Sequence, residues 1–199
     1  MLNLLGTSCP ELTVLWVESC TLLTDAGIDG LCGDDKNPKC QRLKEVNLSS
    51  TGVTSYGIQK LLNSQQEIQK VSFAMTNSVD EFDISAPILK LISLDLSCTF
   101  ITDTCMKVLC KRCPLLCELS LNCCTSLTAM SLEFIASLTH LKVLHIGDNK
   151  AMKFHPHIAQ FLVKAGNSLI VLDISGMDRV DTEIIGVCCR SLQTLRSEE

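Results

Sequence analysis

Thirteen cysteines stand in this chain, and seven of them fall between Cys98 and Cys124. Thiols at such density can hold a soft metal, pair as disulfides or act as nucleophiles. Cys110 and Cys113 have metal-like C-x-x-C spacing, and Cys117, Cys123 and Cys124 follow closely. A structural zinc site needs four converging thiolate or imidazole ligands. The register described below instead puts Cys113 and Cys124 at separate buried positions and Cys110 on a helix, so the expectation is buried thiols acting as small hydrophobes, with no metal and no cofactor. Nor does the register pair a cysteine with a histidine. His155 and His157 flank Pro156 in what reads as a connecting segment, and only His145 falls on an exposed strand face. Gly-x-Ser-x-Gly, a phosphate loop and a glycine-rich dinucleotide turn are all missing. No catalytic residue is assigned, and the chain is not read as an enzyme.

The elements that place these residues follow from a repeat. The pattern apolar-x-x-apolar-x-apolar begins at Leu12-x-x-Leu15-x-Val17 and returns with first apolar positions at Leu43, Ile68, Leu91, Leu116, Leu141, Leu169 and Leu192. Successive copies lie 31, 25, 23, 25, 25, 28 and 23 residues apart, within the 20–29 residue period of leucine-rich repeats apart from one long unit. Alternation over Leu91–Leu96 predicts a short strand, and the spacing over Ile101–Leu109 predicts a helix after it. Thr24-Asp25, Thr102-Asp103 and Asp181-Thr182 precede the helical runs, where a side-chain oxygen can accept from a free backbone N–H. Lys36 to Lys39 sit in the longest unit and read as an inserted surface loop, with Pro38 stopping any helix. The unit from Ile68 to Ile92 lacks both a clear cap and a long helix after Phe73, which predicts an irregular segment there. One unit cannot bury its apolar face alone, so neighbours must stack into a continuous core.

The 199 residues suffice for one such array. A hydrophobic content of 46% against 20% charged residues is ordinary for a folded chain. Seventeen basic and 22 acidic side chains give a formal charge of −5, which offers no overall positive field to gather a nucleic acid. The first residues lack the features of a secretory signal, and no stretch reaches 18 apolar residues, so no membrane partner is expected. With no export signal and an odd number of cysteines, reduced thiols and a cytoplasmic or nuclear location are expected.

The cysteines also keep the register. Cys9, Cys40, Cys113 and Cys189 lie three residues before a first apolar position, and Cys20 and Cys124 lie eight after one. The segments Cys9–Cys20 and Cys113–Cys124 therefore resemble the cysteine-containing leucine-rich repeat found in F-box/leucine-rich-repeat proteins. The resemblance covers nearly the whole chain, about seven units and a partial eighth. At the plus-eight position the other units carry Thr51, Thr76, Thr99, Asn149 and Met177, of which threonine and asparagine can still hydrogen-bond the turn backbone. The resemblance implies an α/β leucine-rich-repeat solenoid over residues 1–199, with a curved parallel sheet inside, helices outside and right-handed crossovers. No N-terminal segment has the length or spacing of an F-box, and both ends look cut, so a fragment of a longer array is expected in preference to ends covered by a partner.

Strand side chains alternate, so positions two, four and six after each first apolar residue should share the concave face, with the seventh just beyond. The middle row is then Trp16, Asn47, Ser72, Asp95, Ser120, His145 and Asp173, and neighbouring rows add Glu18, Glu45, Lys70, Glu118, Asn122 and Asp148. Six carboxylates face one lysine. This face is expected to capture a basic or hydrogen-bond-rich peptide or protein, with charge steering the encounter and Trp16 as an aromatic anchor. The family resemblance implies substrate recognition for an SCF-type ubiquitin ligase, with a Skp-type adaptor and cullin reached only through a segment absent here; the alternative is a scaffold, adaptor or inhibitor outside ubiquitin chemistry. Asp95→Lys combined with Asp173→Lys is expected to abolish binding without unfolding.

Overall fold

Each apolar run supplies one three-residue strand, placed two to four residues after its first apolar position. The computed structural model describes residues 2–34, 36–76, 79–80, 83–152, 155–177 and 182–197. In chain order its elements are α1 (Leu2–Ser8), β1 (Val14–Trp16), α2 (Asp25–Cys32), β2 (Gly33–Asp34), β3 (Asn37–Pro38), β4 (Glu45–Asn47), α3 (Ser55–Ser64), β5 (Lys70–Ser72), β6 (Ser93–Asp95), α4 (Asp103–Arg112), β7 (Glu118–Ser120), α5 (Met130–Ile135), β8 (Val143–His145), α6 (His155–Ala165), β9 (Val171–Asp173), α7 (Thr182–Cys188) and β10 (Thr194–Arg196). Eight strands form one parallel sheet in the order β1-β4-β5-β6-β7-β8-β9-β10. The expected inserted loop is the small antiparallel ribbon β2–β3, with Asn37 and Pro38 exposed. No helix lies between β5 and β6 among the described residues, as the sequence predicted for that unit. Asn77, Ser78, Glu81 and Phe82 of the same unit lie outside the described residues.

The register puts like positions side by side. Leu15, Val46, Val71, Leu94, Leu119, Leu144 and Leu172 are aligned neighbours and all are buried. First apolar positions from Leu43 to Leu169 lie beneath them, also buried. Burying a leucine side chain is worth roughly 1.5–3 kcal/mol, whereas a backbone hydrogen bond nets about 0.5–1.5. Strands this short therefore hold their place mainly through the stacked apolar rows.

Seven residues after the first apolar position the chain turns through left-handed backbone. Ser19, Ser50, Met75, Cys98, Cys123 and Asp148 have φ between 56 and 60°, and Gly176 takes φ 66° at the seventh such turn. A non-glycine residue pays about 1–2 kcal/mol there. Each of the six donates its N–H to the next unit: Ser19 to Ser49 (2.8 Å), Ser50 to Ala74 (2.8 Å), Met75 to Ser97 (2.9 Å), Cys98 to Asn122 (2.7 Å), Cys123 to Gly147 (3.0 Å) and Asp148 to Ser175 (2.7 Å). Immediately after this turn sits the plus-eight residue, and its side chain ties the turn down from inside. Thr51, Thr76 and Thr99 donate to Leu48, Phe73 and Leu96 carbonyls at 2.7, 2.6 and 2.6 Å. Cys124 Sγ reaches the Leu96 carbonyl at 3.1 Å, and Asn149 Nδ2 donates to both Leu121 and Ile146 at 2.8 Å. Threonine thus ties its own turn, Cys124 ties to the preceding unit, and Asn149 does both.

Two local expectations need correction. Thr24 occupies the N-cap of α2 in extended backbone, but its side chain makes no capping bond. Thr102 caps α4 by accepting from Cys105 N–H at 3.5 Å, while Asp181 lies outside the described residues. The aspartates that follow Thr24 and Thr102 instead reach the next unit. Asp25 accepts from Thr54 N–H (2.8 Å) and hydroxyl (2.7 Å), and Asp103 from Thr128 N–H (3.0 Å), Thr128 hydroxyl (2.5 Å) and Ser131 hydroxyl. Secondly, His155, Pro156 and His157 are the first turn of α6 rather than a connection. Proline is tolerated in a first turn, where its missing N–H has no intrahelical partner to lose.

Candidate functional site

On the sheet face away from the core, the expected middle row is continuous: Trp16, Asn47, Ser72, Asp95, Ser120, His145 and Asp173 are consecutive register partners. Arg196 extends the row beside Asp173. It is missing from the expected face because the eighth unit reads as partial, although the spacing from Leu169 to Leu192 marks it. Ser49, Ser97 and Ser175 join the face as well, at the plus-six position that strand alternation marks.

These side chains are linked into short polar networks. Asn47 Nδ2 donates to Glu18 at 2.9 Å, and Asn47 Oδ1 accepts from Ser49 N–H at 3.0 Å. The Ser49 and Ser72 hydroxyls meet at 2.7 Å, and Ser72 donates to Asp95 at 3.3 Å, whose other oxygen takes Ser97 N–H at 2.9 Å. Asn122 Oδ1 accepts from Gly147 N–H at 2.7 Å. Asp173 accepts from Ser175 N–H (3.1 Å) and hydroxyl (2.8 Å), lies 3.3 Å from His145 Nδ1, and has Arg196 at 3.8 Å. Burial pushes the Asp173 carboxyl up, but the Ser175 hydrogen bonds and His145 outweigh it and hold the group below the usual aspartate value.

The expected site residues therefore divide. Asp173 is only 6% exposed and already has its partners, so it is a structural carboxylate and a lysine there would be buried. The expected harmless reversal at Asp173 is corrected on that ground. Glu45 is shared with Lys70 at 3.8 Å, an exposed pair of small worth. Glu18, Asp95, Glu118 and Asp148 have no basic group within 4.0 Å among the described residues. Trp16 is 70% exposed beside exposed Val14, which gives the β1 end of the face an apolar character. Ser120 is half-buried between Asp95 and His145.

Among the described residues no group of three or more histidine, cysteine, aspartate or glutamate side chains is placed to hold a metal ion. Cys110 and Cys113 lie on and just after α4, buried, and desolvation pushes both thiols up to about 12. Cys124 is pushed to about 11, again chiefly by burial. Such thiols hold almost no thiolate at neutral pH. No helix among the described residues is long and apolar enough to cross a membrane.

No family model matches the sequence. Over 163 residues the chain is 28% identical to F-box/LRR-repeat protein 4 from Bos taurus, covering 76% of this chain and 25% of that protein. It thus spans about a quarter of the length of that curated relative. Among solved structures it resembles internalin C2 from Listeria monocytogenes, with a TM-score of 0.56 and 18% identity over 88% of this chain and 65% of that one. An internalin F structure from the same organism gives a TM-score of 0.51 and 15% identity, over 98% of this chain and 63% of that one. At these identities the likeness to the internalins is one of fold.

Proposed function

We propose that this chain, a leucine-rich-repeat protein by its register, its parallel sheet and its relatives, is a protein-recognition module that binds its partner on the open face of the sheet. The observation that carries this reading is the continuous polar row from Asn47 to Arg196, in which two networks, one around Asn47, Ser72 and Asp95 and one around His145, Asp173 and Arg196, hold their side chains in place before any partner arrives. Preorganised polar groups lose little freedom on binding. Trp16 supplies an aromatic anchor at one end. Glu18, Asp95, Glu118 and Asp148 leave net negative charge on the face, which favours a basic peptide or protein surface.

The finer reading is substrate recognition for an SCF-type ubiquitin ligase in the cytoplasm or nucleus. It is supported by the likeness to F-box/LRR-repeat protein 4 and by the cysteine register. A Skp-type adaptor and a cullin would join through a segment outside this chain. The test is affinity capture with mass spectrometry, using this chain and the longest natural product of its gene side by side. Each is compared with its own Glu18→Lys, Glu118→Lys double variant. A common partner lost by both variants, with adaptor and cullin recovered by the long form, is the expected result. Partners retained by a folded double variant would overturn the open-face reading, and a long form that brings no cullin would overturn the ubiquitin reading.

A further inference from the structure

The left-handed turns put Cys98 and Cys123 in adjacent units at the same position. Both residues have nearly identical backbone, φ 57° and 58°, and Cys98 N–H donates to Asn122, the residue before Cys123, at 2.7 Å. The two side chains therefore leave neighbouring rungs in the same direction, and burial, with Cys98 beside it, pushes the Cys123 thiol up. Neighbouring strands in a sheet lie about 4.7–4.9 Å apart, and a disulfide joins Cα atoms about 4.4–6.8 Å apart. Both cysteines are half-buried, unlike Cys105, Cys110, Cys113 and Cys124, which are buried. They border the open face directly, for Cys123 follows Asn122, and its Sγ lies 4.0 Å from Asp148.

We propose that Cys98 and Cys123 form a modification site, a dithiol on the rim of the open face that a small-molecule disulfide of the glutathione type oxidises to a disulfide between adjacent repeats. One cysteine thiolate attacks a sulfur of the reagent, whose S–S bond breaks and releases one thiol. The second cysteine thiolate then attacks the protein sulfur of that mixed disulfide and expels the other half as a second thiol. Two protein thiols are oxidised, one reagent disulfide is reduced to two thiols, and each departing thiolate takes up a proton lost by a cysteine. The bridge would lock two turns beside Asn122 and Asp148. Its formation does not depend on the proposed partner, so the two ideas fail separately.

The experiment treats the reduced 199-residue protein with glutathione disulfide, caps remaining thiols with an alkylating agent after unfolding, and maps the peptides. Expected is one Cys98–Cys123 linked peptide, with any mixed disulfide confined to other accessible thiols such as exposed Cys20. With Cys98→Ser, Cys123 should accumulate as the mixed disulfide with no linked peptide, and Cys123→Ser should do the converse. Serine occupies the same turn at Ser19 and Ser50, so both variants keep a residue the fold already uses, and circular dichroism checks this. Separate mixed disulfides at both positions of the unsubstituted protein, no reaction at either, or linkage of another pair instead, would overturn the proposal.

Discussion

At Asn149 one amide replaces the thiol that Cys124 brings to the same position of the previous unit. Its Nδ2 satisfies two carbonyls, Leu121 and Ile146, and the residue is fully buried. Asn149→Ala strips both at once, and an unsatisfied buried polar group costs about 1–3 kcal/mol. A loss of about 2–4 kcal/mol is expected, seen as a lower urea midpoint at unchanged slope. A midpoint within error of the parent would refute that role. Asp173 is a second test, because its carboxyl is held below the ordinary value by Ser175 and His145 against the opposing effect of burial. A depressed folded pKa means the ionised form favours the folded state. That stability is present above the unfolded value of about 3.9 and is lost as pH falls through the folded one. Asp173→Asn should therefore be less stable than the parent at pH 7, with the gap narrowing below about pH 4. Parallel stability curves from neutral to acid pH would contradict the assignment.

At the scale of elements, the units are stapled on the helical side by carboxylates that reach forward along the chain. Asp103, in the first turn of α4, accepts from Thr128 and Ser131 ahead of and within α5, and Asp25 treats Thr54 before α3 in the same way. The sequence put these aspartates next to the right helix starts but assigned the chemistry to their own helices. Local capping rules look only at nearby backbone, whereas a stacked array offers the neighbouring unit's N–H at equal distance. Strand positions were legible because period-two alternation and a near-constant spacing both fix them, down to the pairing of Asn47 with Ser72 and Asp95. The left-handed turns were not, since six of the seven are filled by residues other than glycine and are held by the N–H each donates to a carbonyl of the next unit. Pro156 misled for a simpler reason: a proline reads as a stop unless its place in the first turn is known. Asp103→Ala should cost about 1–2 kcal/mol, between an exposed pair and a buried charged hydrogen bond. The loss belongs to the α4–α5 junction, so hydrogen exchange of the Thr128 and α5 amides should accelerate about tenfold for each 1.4 kcal/mol. Protection unchanged in α5 would show that the staple contributes nothing.

Across the molecule, the paired strands join each unit to the next, so stability should be close to a sum of local terms joined by interfaces. The row from Leu15 to Leu195 samples this in one register. Leu119 in the middle is fully buried, while Leu195 on β10 is 40% exposed and has β9 on one side only. Leu119→Ala should cost about 2–5 kcal/mol, as large-to-small core changes do, and it removes packing on which units on both sides depend. Leu195→Ala should cost less than about 1 kcal/mol, because much of that surface already meets water. The single tryptophan, Trp16 on β1 at the opposite end, reports which of two regimes holds. If the array unfolds as one unit, Leu119→Ala shifts the denaturant transition seen by Trp16 fluorescence and by circular dichroism equally, and Leu195→Ala barely moves either. If the interfaces between units are weak, Leu119→Ala splits the two probes, with the β1 end keeping its own transition. A sheet that unfolds in halves would present its open face in halves too, and Trp16 would then act independently of the carboxylates at Glu118 and Asp148.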